Sequence, residues 1–558
     1  MRTCARHGFA PLFANFANLG TQRNHRSERT MSYTLSAFLD ATAACQPTAP
    51  AFIDRERPVS FGQLSDESRR LATGLEKLGV EPGDRVALWL PNIPAWVASL
   101  FACARLGAIA VAVNTRFKSG EIADIVGRSG AKALIFWPGF KQIDFSGILE
   151  AADPAALERV ENYIVYREDE RPLPHRLRGR PVYNYQKIID GLPLQQDRAT
   201  ADSGCVIFTT SGTTKAPKFV LHHHAAILQH ARDVAAGFGF SAPDTVVLPS
   251  VPFCGVTGFC LTMAALSAGR PLVTTPAFDA AESAALIRRC RVTHTVALGD
   301  MAAALLAAAP GEHPFPSLKM CGFAVFSPTQ AAVAAEAGAK GMPLLGLYGS
   351  SEVQALFARQ PFSLPVQERI QGGGNPFSSE ASVRVRDPDS GQLLPPKVSG
   401  ELELRGPSRM LEYYGNPEAT AEALTADGFF RSGDLGFLTE DGRFIYQNRM
   451  GDVLRLAGFL VSPVEIEGFL KEHPAVADAQ VVGVEINGAP RATAFVIPVA
   501  GAAFDEAALI AFCRQRMANY KVPGRIFPID DFPVTPSANG NKIQKTKLRQ
   551  MAQEKIVR

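Results

Sequence analysis

The chain reads as an α/β protein: a large N-terminal domain of two βα-layered subdomains with a small antiparallel β subdomain, followed by a C-terminal α+β domain. Three observations predict this. Apolar strand-like runs alternate with helical ones across residues 85–347; short strands punctuated by Gly and Pro take over beyond residue 370; and about a hundred residues of mixed character follow Gly451. A length of 558 residues exceeds what one core organises, and 46% hydrophobic with 20% charged residues is ordinary for a folded globular protein.

The elements follow in order. Strands are expected at 85–90, 108–113 and 131–137, with a helix over Pro94–Leu106 between the first two. The rhythm recurs with strands at 205–210, 245–248, 293–297 and 343–347 and a helix at 224–236. Such βαβ repetition implies parallel sheets covered by helices, with right-handed crossovers. The 400–406 segment reads as a strand of the antiparallel part, and Asn487-Gly488 between two β-rich runs reads as a hairpin turn. Residues 245–269 carry no charge, but Pro249, Pro252, Gly255 and Gly258 would break a membrane helix; a buried strand followed by a pocket-lining helix explains the composition better. The domain division expected is a leader at 1–30, a large domain at 31–451 and a small domain at 452–558. The leader, rich in Arg and His with Glu28 its one acid, reads as a disordered segment or an over-called start codon, with a transit-like peptide as the other reading.

A net charge of +3 excludes a nucleic-acid stripe, and no RNA- or DNA-binding motif is present. Nine cysteines without a Cys-x-x-Cys pair suit reduced thiols in a cytoplasm, and make a structural zinc site an unfavoured reading. His222-His223-His224 does not change that, because consecutive residues of one element cannot easily turn three imidazoles onto one ion.

The chemistry-bearing run is Thr209-Thr210-Ser211-Gly212-Thr213-Thr214-Lys215-Ala216-Pro217-Lys218, directly after an apolar strand. Hydroxyls, backbone N–H groups freed by a tight turn, and a cation are what a polyphosphate needs. The spacing is not that of a Walker loop. The run resembles the signature loop of the adenylate-forming enzymes, the superfamily of acyl-CoA synthetases, peptide-synthetase adenylation domains and luciferases. Four further motifs resemble that family's elements in its order. They are Tyr348-Gly349-Ser350-Ser351-Glu352, with Ser351 where Thr is usual; Gly428 to Gly436, containing Asp434; Arg449-Met450-Gly451-Asp452; and Asn541-Lys542-Ile543 near the C-terminus. The resemblance covers the chain from about residue 32 onward.

The resemblance implies an AMP-forming ligase that activates a carboxylic acid with ATP to acyl-AMP, releases pyrophosphate and transfers the acyl group to coenzyme A. Lys542 would bridge the acyl carboxylate and the α-phosphate. Thr209, Thr210, Ser211, Gly212, Thr213, Thr214 and Lys218 would cradle the outer phosphates, and Glu352 would help hold Mg²⁺. Tyr348, Gly349, Ser350 and Ser351 would border the nucleotide; Asp434 and Arg449 would meet the ribose. Asp452 would mark a pivot about which a mobile C-terminal domain swings. Neutralising and positioning two anions is the core of such a reaction. Residues 514–558 carry ten Lys or Arg against three acids, which suits a phosphate-bearing thiol such as coenzyme A, though a solvated tail has the same composition.

Family position places Val256, Thr257, Phe259, Cys260, Phe323, Ala324 and Gly346 around the acyl group, so a fatty, alicyclic or aromatic acid is expected. No acid stands in Pro252-Phe253-Cys254-Gly255-Val256-Thr257-Gly258, where amino-acid-activating relatives pair the substrate's ammonium, and an unpaired buried ammonium would be costly. Two positions depart from the family: Lys215 stands where Gly is usual, and Gly255 where many acyl-CoA synthetases have His. Two alternatives remain at this level, an acyl-AMP ligase that loads a carrier protein and a homologue that binds nucleotide or acyl chains without catalysis. A homodimer is left open.

Overall fold

Short runs of β-branched and aromatic residues, too apolar to face water on either side, line up in parallel between helices in the computed structural model of the chain. It describes residues 33–557 apart from positions 56, 171, 211–216, 299–300, 324–328, 457–458, 487–488, 516, 518, 520 and 538–539, and the 1–30 leader lies outside the described residues. One sheet orders its parallel strands as Gly204–Thr209, Ile109–Ala112, Arg85–Trp89, Ala133–Phe136, Asn162–Val165 and Arg180–Asn184. Phe219–His223 and then Glu412–Tyr413 extend its near edge in antiparallel sense. The strand bounds differ from the apolar runs by a residue or two, Gly204–Thr209 starting one residue before its run, because a run marks burial and the ladder marks hydrogen bonding.

A second sheet carries Pro50–Asp54, Leu272–Thr274, Val247–Leu248, His294–Val296, Met320–Phe323 and Leu344–Tyr348 in parallel. The antiparallel part, expected as a small subdomain of the large domain, is bonded onto this sheet's edge: Leu347 pairs with Arg359, Arg359 with Asn375, and Gly373 with Ile445. From there the ladder continues through Phe444–Arg449, Phe430–Leu438, Gly400–Arg405 and Ser382–Arg386.

Between the two sheets lie helices whose apolar residues are buried against both, and the most apolar of them are buried on nearly every side. Pro94–Leu106 begins on a proline, ends on Gly107 at φ 71°, and every residue after Pro94 is buried. His224–Phe238 and Val256–Ser267 accompany it, and one core cluster joins residues of both sheets, such as Val86 and Leu345, to these helices. The uncharged 245–269 stretch is therefore a strand and a core helix, and among the described residues no helix is long and apolar enough to cross a membrane.

The C-terminal residues build clusters of their own. Strands Val476–Ile486 and Ala489–Pro498 pair antiparallel with Ile486 opposite Ala489, joined across Asn487 and Gly488, which lie outside the described residues. Arg525–Pro528 adds a parallel third strand, helices Pro463–Lys471 and Glu506–Arg514 pack here, and two hydrophobic clusters draw all their buried members from residues 454–552.

Candidate active site

Two of the polar motifs stand where parallel strands of the two sheets end, Thr209 on one and Tyr348 on the other, the usual place for ligands in open α/β sheets. Thr209 ends the strand Gly204–Thr209, and the loop after it is closed at its neck: Thr210 N donates to Lys218 O at 3.0 Å, and Lys218 N donates to Thr210 Oγ1 at 3.1 Å. Ser211, Gly212, Thr213, Thr214 and Lys215 lie outside the described residues. Lys218 Nζ stands 4.5 Å from the centroid of the Tyr413 ring.

At the end of Leu344–Tyr348 the chain turns sharply. Gly349 is needed there, because a Cβ on it would come within 1.9 Å of Ala355 O. The turn then places Gln354 at φ 60° and Ala355 at φ 51°, left-handed conformations that cost strain in residues with side chains. Surrounding contacts hold them. His222 Nε2 donates to Ser351 O at 2.8 Å, Cys260 Sγ donates to Gln354 O at 3.1 Å, and Gln354 Nε2 donates to Ser408 O at 3.3 Å. The turn presents Glu352, half-buried, whose Oε1 accepts a 2.8 Å hydrogen bond from Tyr413 Oη, while Met410 N donates to its backbone carbonyl at 2.6 Å. Burial lowers His222 to about 4, so its imidazole is neutral near pH 7 and serves as a fixed donor.

A second corner is built by a bulge. Across from Glu401 and Glu403, the partner strand runs from Leu435 to Arg431, so the extra residues at 432–434 swell out of the ladder, with Gly433 at φ 66°. The bulge seats Asp434 opposite Arg449, its register partner on Phe444–Arg449. Tyr348 Oη donates to Asp434 Oδ2 at 2.6 Å, Arg449 Nε lies 3.0 Å from Oδ1, and Arg449 Nη1 donates to Ser432 O at 2.9 Å. The Arg449 contact is a charge contact, since among the described residues no hydrogen bond is directed at Oδ1. Burial pushes the Asp434 carboxyl up to about 6, outweighing the attraction of Arg449.

The apolar candidates divide into two groups. Val256, Phe259 and Cys260 belong to the cluster between the sheets, with Phe259 edge-on to Phe208 at 5.1 Å, and Thr257 is half-buried on the same helix. Phe323 belongs to a different cluster, with Leu248 and Val273. Gly346 is its register partner, and a Cβ there would meet Gln371 O at 2.1 Å. The structure thus does not bring Phe323 and Gly346 together with Phe259: in a strand, neighbouring residues face opposite sides, and their numbers alone do not say which side. Ala324 lies outside the described residues.

Lys542 lies on Gly540–Ile543, paired with Val534–Ser537 so that it stands opposite Thr535. Asp452 accepts from Arg549 Nη2 at 3.3 Å, and the same Nη2 donates to Gly451 O at 3.0 Å, tying the last helix, Lys545–Val557, to the expected pivot. The three consecutive histidines have separate tasks: besides His222, His223 caps the helix through Ala226 N at 3.4 Å, and His224 Nδ1 accepts from Leu35 N at 3.2 Å. Sequence reasoning missed His222 and Tyr413 as supports of the Glu352 turn. Their partners lie 129 and 61 residues away, and no local pattern marks such pairs.

One carboxylate, Glu352, is joined through Tyr413 to Lys218 at the neck of the loop, and among the described residues no group of three or more His, Cys, Asp or Glu could hold a metal ion. That donor set fits Mg²⁺, which takes one or two protein carboxylates and fills the rest of its shell with phosphate oxygens and water.

A buried acid held by Tyr348 and Arg449, with Glu352 fixed on a strained turn near Lys218 through Tyr413, is an arrangement suited to binding a nucleotide. The sequence model described as AMP-binding enzyme matches residues 39–414, and that described as AMP-binding enzyme C-terminal domain matches residues 465–539. The chain belongs to the AMP-binding enzyme family, and it is an AMP-forming acid–thiol ligase. It is 29% identical to the putative acyl-CoA synthetase YngI of Bacillus subtilis (strain 168), with 93% of this chain and 96% of that protein covered. It is also 29% identical to the fatty acid–[acyl-carrier-protein] ligase ScoC of Streptomyces coeruleorubidus, over 90% and 93%. Among solved structures it resembles the anthranilate CoA ligase AuaEII in complex with anthranoyl-AMP, with a TM-score of 0.79 and 25% identity, over 95% of this chain and 99% of that one.

Proposed function

We propose that the protein activates a fatty, alicyclic or aromatic carboxylic acid with ATP to an acyl adenylate and passes the acyl group to coenzyme A. The observation that carries the reading is the Tyr348–Asp434–Arg449 corner, where a buried carboxylate keeps one oxygen without a hydrogen-bond donor and so can accept from a ribose hydroxyl.

Each residue then has a task. Asp434 accepts from the ribose, with Tyr348 and Arg449 fixing its orientation. The loop at 209–214 and Lys218 bind the outer phosphates. Glu352 would hold Mg²⁺, which supplies positive charge against the departing pyrophosphate. Lys542 neutralises the acyl carboxylate and the α-phosphate as one oxygen of the carboxylate attacks phosphorus and pyrophosphate leaves. The domain at 452–558 then turns about Asp452, withdraws Lys542, and lets the thiol sulfur attack the acyl carbon with AMP as leaving group. Val256, Thr257, Phe259 and Cys260 exclude water around the acyl chain. The chemistry belongs to the cytoplasm, where ATP and coenzyme A are available.

A second reading, transfer to a carrier-protein thiol, is favoured by the likeness to ScoC. One assay separates the two: pyrophosphate release with ATP, Mg²⁺ and short, medium, long-chain and aromatic acids, with and without coenzyme A. Turnover stimulated by coenzyme A supports the first reading. Acyl-hydroxamate formation that ignores coenzyme A supports the second. No acid-dependent pyrophosphate release with any acid would overturn both.

A further inference from the structure

The reaction steps proposed above give Tyr413 no task, yet it stands between two of the groups that carry them. It is 4% exposed and sits on the two-residue strand Glu412–Tyr413, where Val220 is its antiparallel partner. Further hydrogen bonds hold the segment on both sides: Leu411 N to Leu221 O at 2.8 Å, Tyr414 N to Phe219 O at 2.7 Å, and Met410 N to Glu352 O at 2.6 Å. From this fixed place Tyr413 Oη reaches Glu352 Oε1 at 2.8 Å, and its ring face lies 4.5 Å from Lys218 Nζ.

We propose that Tyr413 is a positioning residue that couples the phosphate loop to the metal carboxylate: its hydroxyl orients Glu352 so that Oε2 faces a divalent cation, and its ring fixes the Lys218 ammonium beside the same phosphates. The proposal rests on the reading of Glu352 as the Mg²⁺ carboxylate. A carboxylate ligand is commonly oriented by a hydrogen bond to its other oxygen, and losing that partner weakens metal binding by about tenfold or more. An ammonium over an aromatic face is held without being neutralised, so it stays available to an anion. Burial and the neighbouring Glu352 charge both raise the Tyr413 phenol well above its ordinary range, which keeps the hydroxyl a donor.

The test uses the full chain. Mn²⁺ binding is followed by electron paramagnetic resonance in the presence of α,β-methylene-ATP, which cannot be cleaved at the reacting bond. Thioester formation from supplied acyl adenylate is measured in parallel. Tyr413→Phe, which keeps the ring, is expected to weaken Mn²⁺ binding about tenfold while leaving the thioester step within about twofold. Tyr413→Leu is expected to weaken binding of the nucleotide analogue as well, because Lys218 loses its support. Glu352→Gln tells the two ideas apart. If it weakens Mn²⁺ binding while Tyr413→Phe does not, the Tyr413 proposal fails and the Glu352 reading stands; if neither does, both fail. An equal loss in Mn²⁺ binding and in the thioester step of Tyr413→Phe would reduce Tyr413 to a packing residue and overturn the proposal, and that variant differs by one oxygen, so it remains informative if Tyr413→Leu does not fold.

Discussion

The nucleotide corner and the segment that carries Lys542 are built on opposite principles. The corner is assembled from residues far apart in the chain: Tyr348 with Asp434 across 86 positions, Tyr413 with Glu352 across 61, and His222 with Ser351 across 129. Lys542 lies on a local hairpin, Val534–Ser537 with Gly540–Ile543, followed at once by the helix Lys545–Val557. That helix is tied to its own part of the chain by Lys545 Nζ to Glu467 Oε1 at 2.6 Å, and to Gly451 and Asp452, the proposed pivot, by Arg549. A part whose contacts are mostly its own can move as a body without breaking its core; a corner stitched together from four distant segments cannot. The difference is what the proposed mechanism needs: a fixed nucleotide platform, and an amine on a part that is able to approach it and withdraw.

The largest expected effect would break this comparison outright. Lys542→Ala should cut acyl-adenylate formation roughly 10²–10³-fold, the usual loss for one preorganised charge partner, with thioester formation from supplied acyl adenylate nearly unchanged. If both half-reactions fall together, the amine is not delivered for one step alone. Next comes the platform. Because burial raises Asp434 to about 6, lowering the pH through that value protonates it, and the ATP concentration for half-saturation should climb as pH falls below 6. Asp434→Asn should weaken ATP binding about tenfold or more, as for a lost hydrogen bond to a charged group, and abolish that pH dependence. The same shift has a stability side: a raised acid favours the folded state fully below its unfolded value of 3.8, and the advantage is lost as pH rises through about 6. Asp434→Asn should therefore flatten the unfolding midpoint across pH 4–6, read by thermal denaturation.

Smaller effects sharpen the contrast. Lys215→Gly restores the residue usual in the family and should leave adenylation within about tenfold of the parent, or about 1.4 kcal/mol in the barrier, by pyrophosphate exchange. A change of several orders of magnitude would give Lys215 a catalytic task. Arg549→Gln removes a half-exposed contact with Asp452 and Gly451. Such pairs contribute little, so the unfolding midpoint should barely move, while the ratio of the two half-reaction rates should shift by roughly threefold if the contact holds one position of the pivot.

Much of the architecture was legible because periodicity reports burial directly. Pro94–Leu106 lies where the sequence places it, and the β-rich runs around Asn487-Gly488 pair as a hairpin. The antiparallel strands were legible as strands, but their bonding to the second sheet's edge was not, since ladder partners come from the whole chain. The polar motifs could be found by their residue types; the apolar wall could not. Phe323 and Phe259 look equivalent in sequence, yet they lie in different clusters.

By itself, the sequence determined the class of chemistry. A hydroxyl loop, Glu352, Asp434, Arg449 and Lys542 are residue types suited to activating an acid with ATP, and covalent identity is preserved whatever the fold does. The tertiary structure alone decided what holds those groups in place: the bulge that aims Asp434, the strained turn beneath Glu352, and Tyr413 set between Glu352 and Lys218. Orientation and burial arise from contacts between distant segments, and those contacts exist only once the chain has closed on itself.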